Sequence, residues 1–225
     1  MRVGIVRFPG SNCDADAFHA VELAGAEAVY LWHEQPDLAG SEAVILPGGF
    51  AYGDYLRAGV IARFSPVMRS VAEAAARGVP VLGICNGFQV LAEAHLLPGA
   101  LLRNEGLRFV HRWVTVRLED RRTPFTHYLP ATASLRMPVA HGEGRYFDSA
   151  SGLDALEAAG QVAFRYVDNP NGSLRDIAGV RNASGNVLGL MPHPERASDA
   201  LLGSADGLLM LRSLVESAAR ELAIA

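Results

Sequence analysis

The first half of the chain alternates short apolar runs with segments whose apolar residues recur at helical spacing. The apolar runs cover residues 3–8, 28–32, 43–46 and 79–84, and the helical patterns cover residues 14–25 and 65–77. This alternation predicts a mostly parallel sheet with helices on both of its faces. Ligands of such a sheet bind outside the carboxyl ends of the strands. We therefore expect the loops that follow residues 46 and 84 to meet at one edge of the sheet.

The second half of the chain shows strand patterns without a helix between each pair. Residues 110–118 alternate between apolar and polar side chains, which is typical of a half-buried strand. Further strand candidates cover residues 136–147, 161–167, 177–182 and 186–191, and an amphipathic closing helix covers residues 206–223. No internal repeat, low-complexity tract or linker divides the chain. We therefore predict one α/β domain over residues 1–225, with antiparallel strands added to the parallel sheet.

The composition argues against several classes of function. The formal net charge is -4 and no run of basic residues occurs, which gives no reason to expect a nucleic-acid partner. No apolar run reaches the roughly 18 residues of a membrane-spanning helix, and no secretory signal is evident, so we predict a cytoplasmic protein without a membrane partner. The chain contains no lysine, since all 20 of its basic residues are arginine. A lysine Schiff base and a Walker-type phosphate loop are therefore excluded.

The most informative single residue is Cys85, which lies between two glycines. Residues 83–87 have the form Gly-x-Cys-x-Gly after a buried strand and before a helical pattern, which is the cysteine version of a nucleophile elbow. Gly83 and Gly87 lack Cβ atoms, so the backbone can pass closely on either side of the turn. The positive end of the helix dipole favours a thiolate there, and the amide of Asn86 can stabilise an oxyanion. The alternative is a small buried cysteine in a tight joint, and the spacing alone leaves both open.

A cysteine nucleophile needs a histidine, which in turn needs an acid or amide to orient it. Of the seven histidines, His193 stands out because it follows an apolar strand in the sequence Pro-His-Pro-Glu. If the flanking prolines keep this segment extended, His193 and Glu195 point to the same side and can both face the sheet edge. A proline-rich turn with solvated side chains is the alternative. The cysteines and histidines show no ligand spacing, so we predict no metal site.

The remaining cysteine, Cys13, lies in a glycine-containing loop before the first helical pattern. No histidine except His19 is near it in the sequence, and we interpret Cys13 as a structural residue. Cysteines of a cytoplasmic chain are usually reduced, so both are expected to be free thiols.

Residues 83–89 and 192–195 together resemble the class I, or triad, glutamine amidotransferases. Within that family, further stretches resemble the glutaminase subunits of phosphoribosylformylglycinamidine synthases, which act in purine biosynthesis. These stretches are residues 8–14, 47–55, 141–144, 169–173 and 191–196. The matches extend from residue 6 to residue 196, and together they are highly specific. The resemblance implies the flavodoxin-like fold of class I glutaminases and an enzyme that releases ammonia from glutamine.

The resemblance also implies a role for each matching side chain. Cys85 would be the nucleophile, His193 the base and acid, and Glu195 the residue that orients the imidazole. Backbone amides would form the oxyanion hole, and the loop around residue 142 would hold the amino-acid end of glutamine. The residues implied in these two tasks are Gly49, Phe50, Asn86, Gln89, His141, Gly142 and Glu143.

Free ammonia becomes ammonium in neutral water, so such an enzyme needs a partner that uses the ammonia directly. The resemblance implies a larger synthetase that binds ATP, Mg²⁺ and formylglycinamide ribonucleotide, and a small accessory subunit. No cofactor is expected in this chain. The polar segments at residues 52–55 and 169–173 are candidates for the docking face, with solvated loops as the alternative.

Three other functions remain open from the sequence. The chain could be the glutaminase of another synthetase, such as one that makes GMP, carbamoyl phosphate or an amino-sugar product. It could be a free-standing hydrolase of γ-glutamyl conjugates. It could also be a non-catalytic ligand-binding or redox-sensing module, although such a module has no need for a histidine–carboxylate pair.

Overall fold

The computed structural model describes residues 1–224, with side chains through residue 218, so the last residue of the predicted domain lies outside the described part. The strands are β1 (Arg2–Arg7), β2 (Glu27–Trp32), β3 (Ala43–Leu46), β4 (Val81–Ile84), β5 (Ala100–Leu102), β6 (Val110–Leu118), β7 (Ser134–His141), β8 (Arg145–Phe147), β9 (Val162–Tyr166), β10 (Ile177–Arg181) and β11 (Val187–Leu190). The α-helices are α1 (Asp14–Leu23), α2 (Pro66–Ala76), α3 (Asn86–Glu93), α4 (Ala150–Ala158) and α5 (Asp206–Ile224). Short 3-10 helices cover Ala51–Asp54, Ala62–Phe64, Leu174–Asp176, Pro194–Ala197 and Ala200–Leu202.

One large sheet organises the chain, with strand order β2-β1-β3-β4-β11-β10-β9-β6-β7. The first five strands in this order pair in parallel, and the pairing of the remaining strands is antiparallel. Helix α1 packs against β1 and β2, and α3 packs against β3, β4 and β11. The prediction of an α/β fold with a parallel centre, flanking helices and antiparallel additions is therefore confirmed.

The centre of the sheet brings three loops to one edge. Strands β3, β4 and β11 are adjacent and parallel, and every residue in them is buried. Such uniformly apolar runs are expected of parallel strands covered on both faces. Their carboxyl ends lead to Gly48, Cys85 and Met191, so the three segments that carry the predicted chemistry begin side by side.

The sequence and the structure differ in the region around residue 142. The predicted strand over residues 136–147 is divided into β7 and β8, and β8 leaves the large sheet to pair with β5. A Cβ atom on Gly144 would lie 2.4 Å from the ring of His141, so a glycine is needed where the chain turns. The pattern-based prediction also omitted β5 and α4, which are short and weakly periodic.

In the part of the chain that the structure describes, no helix is both long and apolar enough to cross a membrane.

Candidate active site

Cys85 lies at the tip of a strained turn between β4 and α3. Its φ and ψ angles are 50° and −103°, a conformation that residues with a side chain rarely adopt. The two glycines make the turn possible, because a Cβ on Gly87 would lie 1.9 Å from the carbonyl oxygen of Leu46 and one on Gly83 would lie 2.8 Å from the backbone of Gly87. Strain of this kind persists where the surrounding structure enforces it, often at a catalytic residue. The predicted elbow therefore forms here.

His193 and Glu195 form a buried pair beyond the end of β11. The carboxylate oxygen Oε1 of Glu195 accepts a hydrogen bond of 2.6 Å from Nδ1 of His193, and both residues are at most 2% exposed. Because Nδ1 carries the proton of that bond, Nε2 is the atom left for chemistry, and it has no hydrogen-bond partner among the described residues. The sequence predicted that this segment is extended, but in the structure Pro194 begins a 3-10 helix. That helix still brings the carboxylate back to the imidazole.

The electrostatics of His193 favour a proton on the imidazole. Burial by itself would lower the pKa of His193, but the charges of Glu195 and of the Cys85 sulfur outweigh it and raise the pKa well above its ordinary value. The protonated imidazolium, hydrogen-bonded to the Glu195 carboxylate, is therefore favoured near neutral pH.

The backbone amides near Cys85 are unequally available to an oxyanion. The amide of Phe50 donates to the carbonyl oxygen of Gly10 at 3.0 Å, which removes it from the predicted oxyanion hole. Phe50 instead contributes its side chain to the wall of the cavity. The amides of Gly49 and Asn86 remain the better donors, since Gly49 lies in the turn after β3 and Asn86 is the first residue of α3.

The side chain of Asn86 connects the parts of the site. Its Oδ1 accepts a hydrogen bond from the amide of Ala51 at 3.0 Å, and its Nδ2 donates to Asp54 and Gln89 at 3.1 and 2.9 Å. Gln89 in turn donates to the carbonyl oxygen of Glu143 at 2.6 Å. The first turn of α3 thus holds both the loop after β3 and the loop after β7 in place.

The loop after β7 is held from below by a second network around His141. The imidazole contacts Oδ1 of Asn104 at 3.1 Å and Nδ2 of Asn171 at 3.4 Å. Burial, followed by the charge of His193, lowers the pKa of His141 to about 4, so this ring is neutral. Asn171 also donates to the carbonyl oxygen of Gly144 at 2.8 Å. The side chain of His141 therefore positions the loop rather than carrying charge to a ligand.

Two adjoining cavities open onto these groups. One of about 170 Å³ is lined by Gly49, Phe50, Asp54, Cys85, Gln89, Phe109, Ala140, His141, Gly142 and Glu143. The other, of about 250 Å³, is lined by Asn12, Cys13, Gly49, Phe50, Phe109, Ala140, His193 and Arg196. A further cleft, of about 500 Å³, lies beside α2 and is lined by neither Cys85 nor His193. The first cavity holds every predicted glutamine-binding residue except Asn86, whose side chain lies beneath it.

The structure adds residues to the site that sequence reasoning missed. Asp54 faces the first cavity from a left-handed backbone conformation, and Phe109 lines both cavities. Burial and then the neighbouring Glu143 raise the pKa of Asp54 to about 6. The signal for Asp54 was present in the Pro-Gly-Gly-Phe-Ala-Tyr-Gly-Asp motif, but only the fold shows that its carboxyl group reaches the cavity.

The predicted docking segments have different surroundings. In residues 169–173, Asn171 and Ser173 are each 3% exposed and support the loop after β7, so their side chains are part of the scaffold. The hydroxyl group of Tyr52 points inward to His33 and Ser65. Tyr55, which follows the cavity residue Asp54 and is 75% exposed, presents its large side chain to solvent.

Fold and site together define a glutamine amidotransferase that depends on a cysteine. Residues 1–206 match the family model of the CobB/CobQ-like glutamine amidotransferase domain. The phosphoribosylformylglycinamidine synthase subunit PurQ of Rubrobacter xylanophilus is 63% identical over 97% of this chain and 99% of its own length, and that of Thermomicrobium roseum is 56% identical over 96% and 95%. A chain from the structure of PurLQS from Thermotoga maritima is 46% identical, with a TM-score of 0.89 over 96% of this chain and 97% of that one. The chain therefore belongs to the CobB/CobQ-like glutamine amidotransferase family and, within it, to the PurQ group.

Proposed function

We propose that this chain is the glutaminase subunit of a phosphoribosylformylglycinamidine synthase and releases ammonia from glutamine for a synthetase subunit. The observation that carries the proposal is the position of Cys85 and the buried pair of His193 and Glu195 at the ends of adjacent strands. The two PurQ relatives support the choice of synthetase, because their identity extends over nearly the whole chain.

The first half of the reaction forms a thioester. The thiolate of Cys85 attacks the carboxamide carbon of glutamine, and the carbonyl oxygen becomes an oxyanion that the amides of Gly49 and Asn86 stabilise. The loss of one such donor typically lowers kcat by about 10²–10³. The His193 imidazolium transfers its Nε2 proton to the amide nitrogen, the carbon–nitrogen bond breaks, and ammonia leaves a γ-glutamyl thioester on Cys85.

The second half returns the enzyme to its starting state. The neutral imidazole of His193 removes a proton from water, and the resulting hydroxide attacks the thioester carbon. The carbon–sulfur bond then breaks, so glutamate leaves while Cys85 returns to the thiolate and His193 to the imidazolium. Glu195 holds the imidazole in the orientation that both proton transfers need.

The acidic residues of the first cavity account for recognition of the amino-acid end of glutamine. Asp54 and Glu143 line the same cavity as Cys85, and the charge of Glu143 acts on Asp54. Two carboxylates beside a bound amino acid favour an ammonium group, because they compensate its charge where water is partly excluded. We therefore assign Asp54, together with Glu143, to the α-ammonium group of glutamine.

The variant Asp54→Asn is expected to lose this recognition while keeping the reaction. Its kcat/KM for glutamine should fall about 10–100-fold, which corresponds to a lost hydrogen bond to a charged group. Its kcat/KM for glutaramate, which has the carboxamide but no amino group, should change little. In the unmodified enzyme, the ratio of the two constants should fall as the pH drops through about 6, because Asp54 then becomes neutral. An equal loss for both substrates would contradict the assignment.

Ammonia must pass directly to its acceptor, because the ammonium ion that forms in water is not a nucleophile. We propose a larger synthetase partner that binds ATP, Mg²⁺ and formylglycinamide ribonucleotide, and a small accessory subunit. The match to a chain of the Thermotoga maritima PurLQS structure supports an assembly of this kind. Tyr55 and Leu56, which are 75% and 93% exposed next to Asp54, are the candidate contact with the synthetase.

The test of the proposed function is the release of glutamate from glutamine by the purified chain, alone and with the synthetase, its ribonucleotide and ATP. We expect a sharp rise in the presence of the synthetase and its substrates, because a partner-gated site avoids wasting glutamine. A glutamine-like chloroketone should label Cys85. Brisk hydrolysis that is indifferent to any partner would identify a free-standing hydrolase instead, and the absence of labelling would identify a binding module.

A further inference from the structure

The fold places a second thiol, which the proposed reaction does not use, against the catalytic histidine. Cys13 precedes α1, is 3% exposed, and its amide donates to the carbonyl oxygen of Gly48 at 3.3 Å. A Cβ on Gly48 would lie 2.7 Å from Cε1 of His193 and 3.2 Å from Sγ of Cys13, so the thiol and the imidazole flank the same glycine. Sequence analysis had placed no histidine near Cys13 except His19, because the two residues are far apart in the chain.

Cys13, His193 and Glu195 together have the donor set of a thiophilic cation. Each offers one ligand atom, namely a sulfur, an imidazole nitrogen and a carboxylate oxygen, and these atoms all lie within 4.8 Å of one another. Nε2 of His193 and Oε2 of Glu195 are buried and have no hydrogen-bond partner among the described residues. Catalysis explains the free Nε2, but it leaves Oε2 unexplained. Zinc combines sulfur, imidazole and carboxylate ligands in one site.

We propose that Cys13, His193 and Glu195 bind Zn²⁺, and that the bound ion inhibits the enzyme. The ligand atoms of a tetrahedral zinc lie roughly 3.3–3.8 Å apart. Binding would therefore widen the 2.6 Å separation of Nδ1 and Oε1 and bring the sulfur of Cys13, now within 4.8 Å, closer by about 1 Å. Three protein ligands leave a fourth position for water, which the 250 Å³ cavity on Cys13 and His193 can supply. This proposal departs from the prediction that the chain has no metal site, which rested on sequence spacing alone.

Inhibition follows from the ligands that the ion would occupy, and this part of the inference rests on the proposed function. Oε1 of Glu195 lies 2.6 Å from Nδ1 of His193, so an ion shared by these two residues binds at Nδ1, in place of the proton of that hydrogen bond. The ion takes away the carboxylate that orients the ring, and its positive charge makes Nε2 a weaker base. Arg196 lines the same cavity, and its positive charge would oppose a cation. Its guanidinium group is paired with Asp16 at 3.3 Å, which reduces that opposition.

Binding is tested with Zn²⁺ alone, in competition with a chromophoric chelator. The unmodified chain and the inactive Cys85→Ala variant should each bind one ion. In Cys13→Ala the dissociation constant should rise by more than the roughly 100-fold that loss of an outer-shell partner causes. Cys13→Ser, which keeps the size of the side chain, replaces it if the alanine variant does not fold. An affinity for Zn²⁺ that is unchanged in the Cys13 variant would overturn the assignment. Loss of Zn²⁺ binding in Cys85→Ala would also overturn it, because the ion would then be bound by Cys85.

Inhibition is tested on the chain with its synthetase present. Zn²⁺ should abolish glutamine hydrolysis by the unmodified enzyme, and a chelator should restore it. At the same Zn²⁺ concentration, the Cys13→Ala variant should hydrolyse glutamine at the rate that it shows without metal. Equal inhibition of this variant and of the unmodified enzyme would refute the inhibitory role. If the metal-free, unmodified enzyme does not hydrolyse glutamine at all, the proposed function fails. The binding measurement on Cys85→Ala still decides the metal site in that case.

Discussion

The variant Cys85→Ala is expected to lose glutamine hydrolysis by roughly 10⁴-fold or more, the scale on which removal of a triad nucleophile acts. Cys85 is the proposed nucleophile because its sulfur lies at the tip of the elbow, and the residue has a strained conformation of the kind that clusters at active sites. The measurement is glutamate release by the complex with the synthetase. Ammonia supplied as a concentrated ammonium salt at raised pH should still support synthesis, because we expect the synthetase half not to depend on this thiol.

The matched control for this prediction is Cys13→Ala, measured without metal ions. Cys13 and Cys85 are similarly buried, at 3% and 4% exposure, and the sulfurs of both act on His193. Each cysteine precedes a helix, but only Cys85 has the strained conformation of the elbow between β4 and α3, so removal of the Cys13 thiol should leave hydrolysis measurable. Retained hydrolysis in Cys85→Ala, or equal losses in the two variants, would refute the assignment of the nucleophile.

The variant Gly87→Ala is expected to destabilise the protein by about 3 kcal/mol or more, at the upper end of the effect of overpacking. The added Cβ would lie 1.9 Å from the carbonyl oxygen of Leu46, which is backbone and cannot rotate away. Helix α3 would have to move off β3, and Cys85 would move with it. The free energy of unfolding, measured with denaturant, and glutamine hydrolysis should therefore fall together.

Gly106→Ala is the control for that substitution. No atom lies within 4 Å of the position that its Cβ would take, and its backbone is outside the left-handed region. We expect its free energy of unfolding to stay within about 0.5 kcal/mol of the unmodified protein. A Gly87→Ala variant as stable as this control would show that the elbow does not need the close approach of helix and strand.

The proposed nucleophile and the class of enzyme were accessible from the sequence, because local chemistry determines them. The spacing of Gly83, Cys85 and Gly87 predicts the elbow, since only glycine permits so close a backbone approach. The apolar runs before residues 47, 85 and 191 predict parallel strands, and parallel strands place the segments that follow them at one edge. The predicted meeting of Cys85 with His193 and Glu195 needed no knowledge of individual contacts.

Other features depend on contacts between residues that are distant in the chain, and only the tertiary structure decided them. The sequence did not show that Asp54 lines the cavity beside Cys85, or that the amide of Phe50 donates to the carbonyl oxygen of Gly10. It also did not show that Cys13 lies against His193, 180 positions later in the numbering. Periodicity and turn chemistry report on neighbours within a few residues, whereas these contacts arise where β1, β3, β4 and β11 end beside one another.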